Sequence, residues 1–293
     1  MPVLFRTIGT VSGPRIALRP RTALAEAFTR VRMPVTCAIV ERPDGLVLID
    51  TGWSRAQCAF PRQDPGLVAQ LALGLEVRAE DALSSQLISL GYEPGDVKHI
   101  VATHLHRDHI GGAVDFPKAA VHTSPLEWEA RSRGARNGYD PRLSSLADRV
   151  RVHAFDPVPQ LGFARSHDLF GDGTVLLLDA SGHTVGSTAV ALKLAEGWCV
   201  HAGDACMFLD QLDDSNVGTF SLYAKVTSHD RAKQRETFNA LQHAQRDHGA
   251  KVIPSHDPDV YAKLPTTKDK AWRGAWDPTK KKAAASPPTE GRG

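Results

Sequence analysis

The sequence predicts an α/β layered domain with its helices on the outside. Three observations carry that expectation. Short apolar runs of strand composition alternate with stretches of helical spacing along most of the chain. Hydrophobic residues make up 42% and charged residues 23% of the 293, enough apolar surface to build a core. Several of the apolar runs end in a single His or Asp, which places polar chemistry at strand ends. The length lies near the upper limit for one hydrophobic core, and one domain over residues 1–277 is expected.

Residues 34–50 read as two β-rich runs on either side of Pro43-Asp44-Gly45, a hairpin signal. Thr51-Gly52 ends the second run. Residues 60–78 mix Pro, Gln, Gly and Leu and read as an irregular loop or a short helix. Leu83, Leu87 and Leu90 give residues 79–90 helical spacing, which stops at Gly91. Residues 99–103 form a short buried strand. Ser124-Pro125 supplies a cap and a first-turn residue for a helix over 124–133. Residues 134–148 are polar and read as a loop or insertion. Strands are expected over 150–155, 174–179, 187–194 and 198–202. The longest helical stretch, 228–248, ends at Gly249, and 251–254 is one more strand. The tail from Pro278 carries Lys280-Lys281-Lys282 and Pro287-Pro288 without a burial pattern, so it is expected to be disordered. The strand pairing stays open.

The charge sum of 35 − 33 = +2 excludes a polyelectrolyte that binds nucleic acid by bulk charge. No apolar run approaches the roughly 18 residues of a membrane-spanning helix. Five arginines within residues 1–30, with no long apolar stretch between them, argue against a secretory leader. The cysteines at 37, 58, 199 and 206 form no CxxC pair and suit a reducing cytoplasm.

The decisive segment runs from Thr103 to Gly112 and contains HxHxDH: His104, His106, Asp108 and His109. His104 and His106 are two apart at a strand end, so both rings project to one side and can grip one borderline cation such as zinc. Asp108 and His109 follow as the chain turns and can reach a second cation. Further ligand types stand at other strand ends: His183 after Val175–Leu178, Asp204 after Trp198-Cys199-Val200, and His256 after Lys251-Val252-Ile253.

HxHxDH, then Gly-His-Thr, then Gly-Asp, then a late His resembles the metallo-β-lactamase superfamily over residues 34–257. The resemblance implies a four-layer αββα sandwich with two Zn2+ at one edge, other divalent transition metals being alternatives. It implies that His104, His106 and His183 hold one metal and that Asp108, His109 and His256 hold the other. Asp204 would bridge them, and Asp50 of Leu-Ile-Asp-Thr-Gly would support the site without ligating. The implied reaction is hydrolysis by a metal-bridging hydroxide, with Asp108 as general acid to the leaving oxygen.

The local resemblance is strongest to the lactonases, including acyl-homoserine lactonases and pyridoxolactonase. It rests on residues 34–40, on residues 48–52, and on Asp247-His248-Gly249-Ala250 leading to Ser255-His256-Asp257. The expected substrate is a small lactone or ester, with quorum quenching as one setting. A phosphotriester or thioester hydrolase, or a non-catalytic metal-binding sensor, are the alternatives. Met207 stands where acyl-homoserine lactonases usually carry Tyr, and a thioether cannot donate that hydrogen bond. Met207 therefore reads as a pocket wall. Tyr223 reaching in from the following loop is the minor reading. His122 reads as structural, His201 as core or surface, and His153, His167, His229, His243 and His248 as surface. Phe60-Pro61 and residues 67–75 could form an acyl-chain lid, a sheet cover or a homodimer contact.

Overall fold

The structure, a computed structural model, describes residues 1–19, 23–213 and 221–264. Among them, eleven strands form two sheets. The first sheet contains β1 (Val3–Pro14), β2 (Arg30–Arg42), β3 (Gly45–Ile49), β4 (Val97–Val101), β5 (Ala120–Thr123) and β6 (Val150–Val152), in that order. Its first three strands pair antiparallel and the rest parallel. The second sheet contains β7 (Ser166–Asp168), β8 (Val175–Asp179), β9 (Thr188–Leu194), β10 (Gly197–Gly203) and β11 (Lys251–Pro254), in the spatial order β11-β10-β9-β8-β7. Only the β10–β11 pair of this sheet is parallel.

The apolar runs are continuous because each strand is buried on both faces, and the period of two sorts its residues. Cys37, Ile39, Leu46 and Leu48 join a core under the helices of the first sheet. Their alternates Ala38, Val40, Val47 and Ile49 meet Val175, Leu177, Val190 and Leu192 between the sheets. Leu176, Leu178, Ala189 and Ala191 face the helices of the second sheet. The result is a helix–sheet–sheet–helix stack.

Local chemistry sets the element ends. Arg42 pairs with Gly45, so β2 and β3 form the expected hairpin. The Ser124 hydroxyl accepts from the Glu127 amide at 3.2 Å and starts the helix Pro125–Ala130. Asp230 caps Arg231–His248 by accepting from the amides of Ala232 and Lys233 at 2.9 and 3.1 Å. Gly249 closes that helix in the left-handed region at φ 62°.

Some expectations shift. Residues 79–90 split into a 3-10 turn, Ala79–Asp81, and the helix Leu83–Ser89, because Ala82 is not helical at ψ 137°. The expected loop 134–148 holds two 3-10 stretches, Ala135–Asn137 and Pro141–Arg149. β1 had no counterpart in the sequence reading. Its alternation is interrupted by a register shift between Thr7 and Thr10 that includes Gly9. No described helix is long and apolar enough to cross a membrane. The tail from Pro278 lies outside the described residues.

Candidate metal centre

All seven residues singled out as ligands follow the C-terminal end of a strand and meet at one edge of the sandwich. The β4 end supplies His104, His106, Asp108 and His109. The ends of β8, β10 and β11 supply His183, Asp204 and His256. Three groups have their ligand-type atoms within 4.8 Å of one another: His104 with His106 and His183, His104 with His109 and Asp204, and Asp108 with His109 and His256. Asp204 is central. Its Oδ1 lies 3.3 Å from His109 Nε2 and 3.1 Å from His256 Nε2, and its Oδ2 lies 3.6 Å from His183 Nε2. Asp108 Oδ2 lies 3.8 Å from His109 Nε2 and 3.7 Å from His256 Nε2.

Electrostatics divide the histidines. Burial holds His104 well below the ordinary imidazole value, and burial with His183 nearby pushes His106 down to about 3. Burial also lowers His183. It opposes charge on His109 and His256 as well, but there Asp204 and Asp108 prevail and raise both. Burial would raise Asp204, yet His256 and His109 hold its carboxyl well below the usual range. His104 Nε2, His109 Nε2 and Asp204 Oδ1 are buried with no hydrogen-bond partner.

The far nitrogens are already engaged. His109 Nδ1 lies 2.8 Å from Asp50 Oδ2, and Asp50 also accepts from the Thr103 amide and hydroxyl, each at 2.8 Å. Asp50 is a non-glycine residue in the left-handed region, at φ 58°. His256 Nδ1 lies 2.8 Å from the Pro34 carbonyl oxygen. Glu127, which the sequence reading passed over, ties two ligand loops together. It accepts from the Leu105 amide at 3.0 Å, the Thr184 hydroxyl at 2.6 Å and the Gly186 amide at 3.1 Å. A single Glu in an amphipathic helix carries no signal of that role.

His106, Asp108, His183, Asp204 and His256 of the cluster line a cavity of about 870 Å³. Val11, Leu18, Met33, Trp53, Met207 and Val226 contribute its apolar wall. Met207 is thus a wall, as expected. Tyr223, the minor reading, does line the same cavity, and burial with Asp204 and Asp108 nearby pushes its phenol above the ordinary value. Leu73 reaches the cavity too, while Phe60 and Leu71 are exposed. His201 stays apart from the cluster as a buried residue lowered by desolvation. His122, His153 and His167 lie elsewhere, in a second assembly with His99.

The chain is similar to known proteins. The sequence pattern of the metallo-beta-lactamase superfamily matches residues 30–256. A "probable metallo-hydrolase" of Mycobacterium tuberculosis is 35% identical over 241 residues, covering 76% of this chain and 74% of its own. The N-acyl homoserine lactonase AttM of Azorhizobium caulinodans is 26% identical over 235 residues, covering 78% of this chain and 84% of its own. Among solved structures, an N-acyl homoserine lactone hydrolase with N-hexanoyl-L-homoserine at its catalytic metal center superposes with a TM-score of 0.68 at 18% identity, covering 88% of this chain and 93% of that one. The chain belongs to the metallo-beta-lactamase superfamily.

Proposed function

We propose that this chain is a dinuclear metal-dependent hydrolase that opens a lactone or a related ester. The observation that supports it best is the convergence of His104 Nε2, His109 Nε2 and Asp204 Oδ1, all buried and none in a well-formed hydrogen bond. Polar atoms are costly to bury without a partner, and imidazole nitrogen with carboxylate oxygen is a donor set suited to zinc and other first-row divalent cations. On this reading His104, His106 and His183 hold one cation, Asp108, His109 and His256 hold a second, and Asp204 serves both. When bound, such cations supply Lewis acidity and acidify water at neutral pH.

The chain's own groups orient and move protons. Asp50 accepts from His109 Nδ1 and so leaves Nε2 as the lone-pair nitrogen; the Pro34 carbonyl does the same for His256. Asp108 is 25% exposed where Asp204 is 7% exposed. A carboxylate open to the cavity can hold a proton for the leaving oxygen, which makes Asp108 the general acid. Tyr223 has the O–H donor that Met207 lacks and can orient a substrate carbonyl. The likeness to N-acyl homoserine lactonases favours a lactone among the ester classes.

The test joins metal content to a pH-indicator hydrolysis screen on one purified sample. The screen holds simple lactones, acyl-homoserine lactones, aryl esters, thioesters and a phosphotriester. Two metals per chain with preferred lactone opening are expected. In Asp108→Ala, kcat should fall about 10²–10⁴-fold with at least one metal retained. A preference for the phosphotriester or thioester would overturn the substrate class. One metal or none, with no turnover, would overturn the mechanism.

A further inference from the structure

The cavity has a third surface, and it is basic. Arg107, Arg133 and Arg136 line it, with His229 beside them. None of the three arginines forms an ion pair among the described residues. The acidic residues lining the cavity, Asp108 and Asp204, both belong to the histidine cluster. The Nε of Arg107 is buried with no hydrogen-bond partner. Arg133 donates to Nδ1 of His229 at 3.1 Å, a contact that brings no carboxylate to the guanidinium. Neighbouring arginines behave differently. Arg131 rests on the Trp128 ring at 4.0 Å and donates to its carbonyl, and Arg142 is ion-paired to Asp140 at 2.7 Å.

The segment bearing Arg133 and Arg136 is fastened to the candidate metal centre. The Gly138 carbonyl accepts from the Arg107 amide at 3.1 Å, and Tyr139 bridges His106 in antiparallel register. Gly138 sits at φ +86°, and a Cβ there would lie 2.9 Å from His106 Cδ2. The backbone therefore passes directly against a candidate ligand, and the segment that carries Arg133 and Arg136 is anchored beside the cluster. Guanidinium is the side chain best matched to planar or tetrahedral oxyanions.

We propose that this cavity takes an amphiphilic ester or lactone whose apolar body carries an oxyanion, a carboxylate or a phosphate, and that Arg107, Arg133 and Arg136 bind that oxyanion. The reaction rests on the hydrolase reading above, whereas the binding selectivity does not.

Calorimetric titration of the full-length protein as purified tests the binding directly. The probes are octanamide, its ω-carboxylate analogue and its ω-phosphate analogue, none of which can be turned over as an ester. Either anionic probe should bind at least about tenfold tighter than octanamide, and the stronger of the two names the oxyanion. In Arg133→Gln/Arg136→Gln that advantage should fall to less than about threefold, and Arg133→Lys/Arg136→Lys should keep part of it. Melting temperature and circular dichroism check that each variant is folded. Equal affinity for all three probes in the parent protein would overturn the proposal. So would an anion preference that persists undiminished in the folded Gln variant, because Arg133 and Arg136 would then contribute nothing to it. A preserved anion preference in a protein without turnover would fail the hydrolase reading alone.

Discussion

The chain holds two assemblies of histidines, and they are built on opposite principles. In the first, His104, His106, His109, His183 and His256 surround Asp204, and the ring nitrogens turned inward include two with no partner. In the second, histidines satisfy one another. His99 Nδ1 lies 2.9 Å from His122 Nε2, and His122 Nδ1 lies 2.9 Å from His153 Nε2. The His153 and His167 rings follow at 4.7 Å. Among the described residues, carboxylates stand only at the ends, Asp44 at 3.7 Å from His99 and Asp156 at 3.7 Å from His167, and both are largely exposed. Burial therefore lowers His99 and His153 and brings His122 down to about 3. The difference teaches that clustering alone does not make imidazoles a cation site. Inward-facing nitrogens that converge on a central carboxylate make a candidate for one.

The largest effect should come from breaking the first assembly at its centre. Asp204→Ala removes the carboxylate that His109, His183 and His256 share, and we expect loss of at least one bound metal per chain and about a 10³-fold or greater fall in kcat/KM. Elemental analysis and initial rates on one sample check both. A mutant that kept two metals and full activity would dissolve the contrast.

A smaller effect should follow at the support of that assembly. Asp50→Asn keeps the shape but exchanges an acceptor-only group for an amide, and His109 loses its charged partner. Metal affinity should fall about 10–100-fold, read by competition with a chromogenic chelator. No change would mean that the Thr103 and His109 contacts serve the fold alone.

The mildest test addresses the second assembly through pH. His122 faces His99, His153, His167 and Arg151, and Asp44 lies beyond His99. Its folded value is lowered, so the unfolded chain takes up the proton first. The stabilisation is full above the unfolded value near 6.5 and is lost as pH falls toward 3, at up to about 1.4 kcal/mol per pH unit. His122→Gln should therefore flatten the acid side of the stability profile by about that slope, measured by urea unfolding at pH 7.5, 6.5 and 5.5 with the metal content matched. An unchanged slope would show that the chain of imidazoles does not titrate with folding.

Legibility followed the range of each interaction. The β2–β3 hairpin, the Ser124 cap and the Gly249 stop are local, and they stand in the sequence as turn and cap residues, whereas the start of the last long helix, expected at 228, lies three residues later behind the Asp230 cap. HxHxDH was visible because four ligand types lie within six positions. His183, Asp204 and His256 gained meaning only together, as residues that each end an apolar run. What depended on pairing was hidden. The imidazole chain joins β4, β5, the residue after β6, and β7, so it exists only once those strands are adjacent. Glu127 acts through loops 22 and 57 residues away. β7 is three residues long, too short for any pattern. Tyr223 reaches the cavity from a helix whose placement no local signal gives.

The contact between His256 Nδ1 and the Pro34 carbonyl joins residues 222 positions apart. It makes the centre a product of the whole chain's emergence. At about 5–20 residues per second, the first hairpin waits roughly 10–45 s on the ribosome before its partner from the last strand exists. Until then the early motif His104–His109 lacks His256, the last of its candidate partners. Any ion taken up by the proposed centre would therefore meet the full set of candidate ligands only after residue 256 has been made.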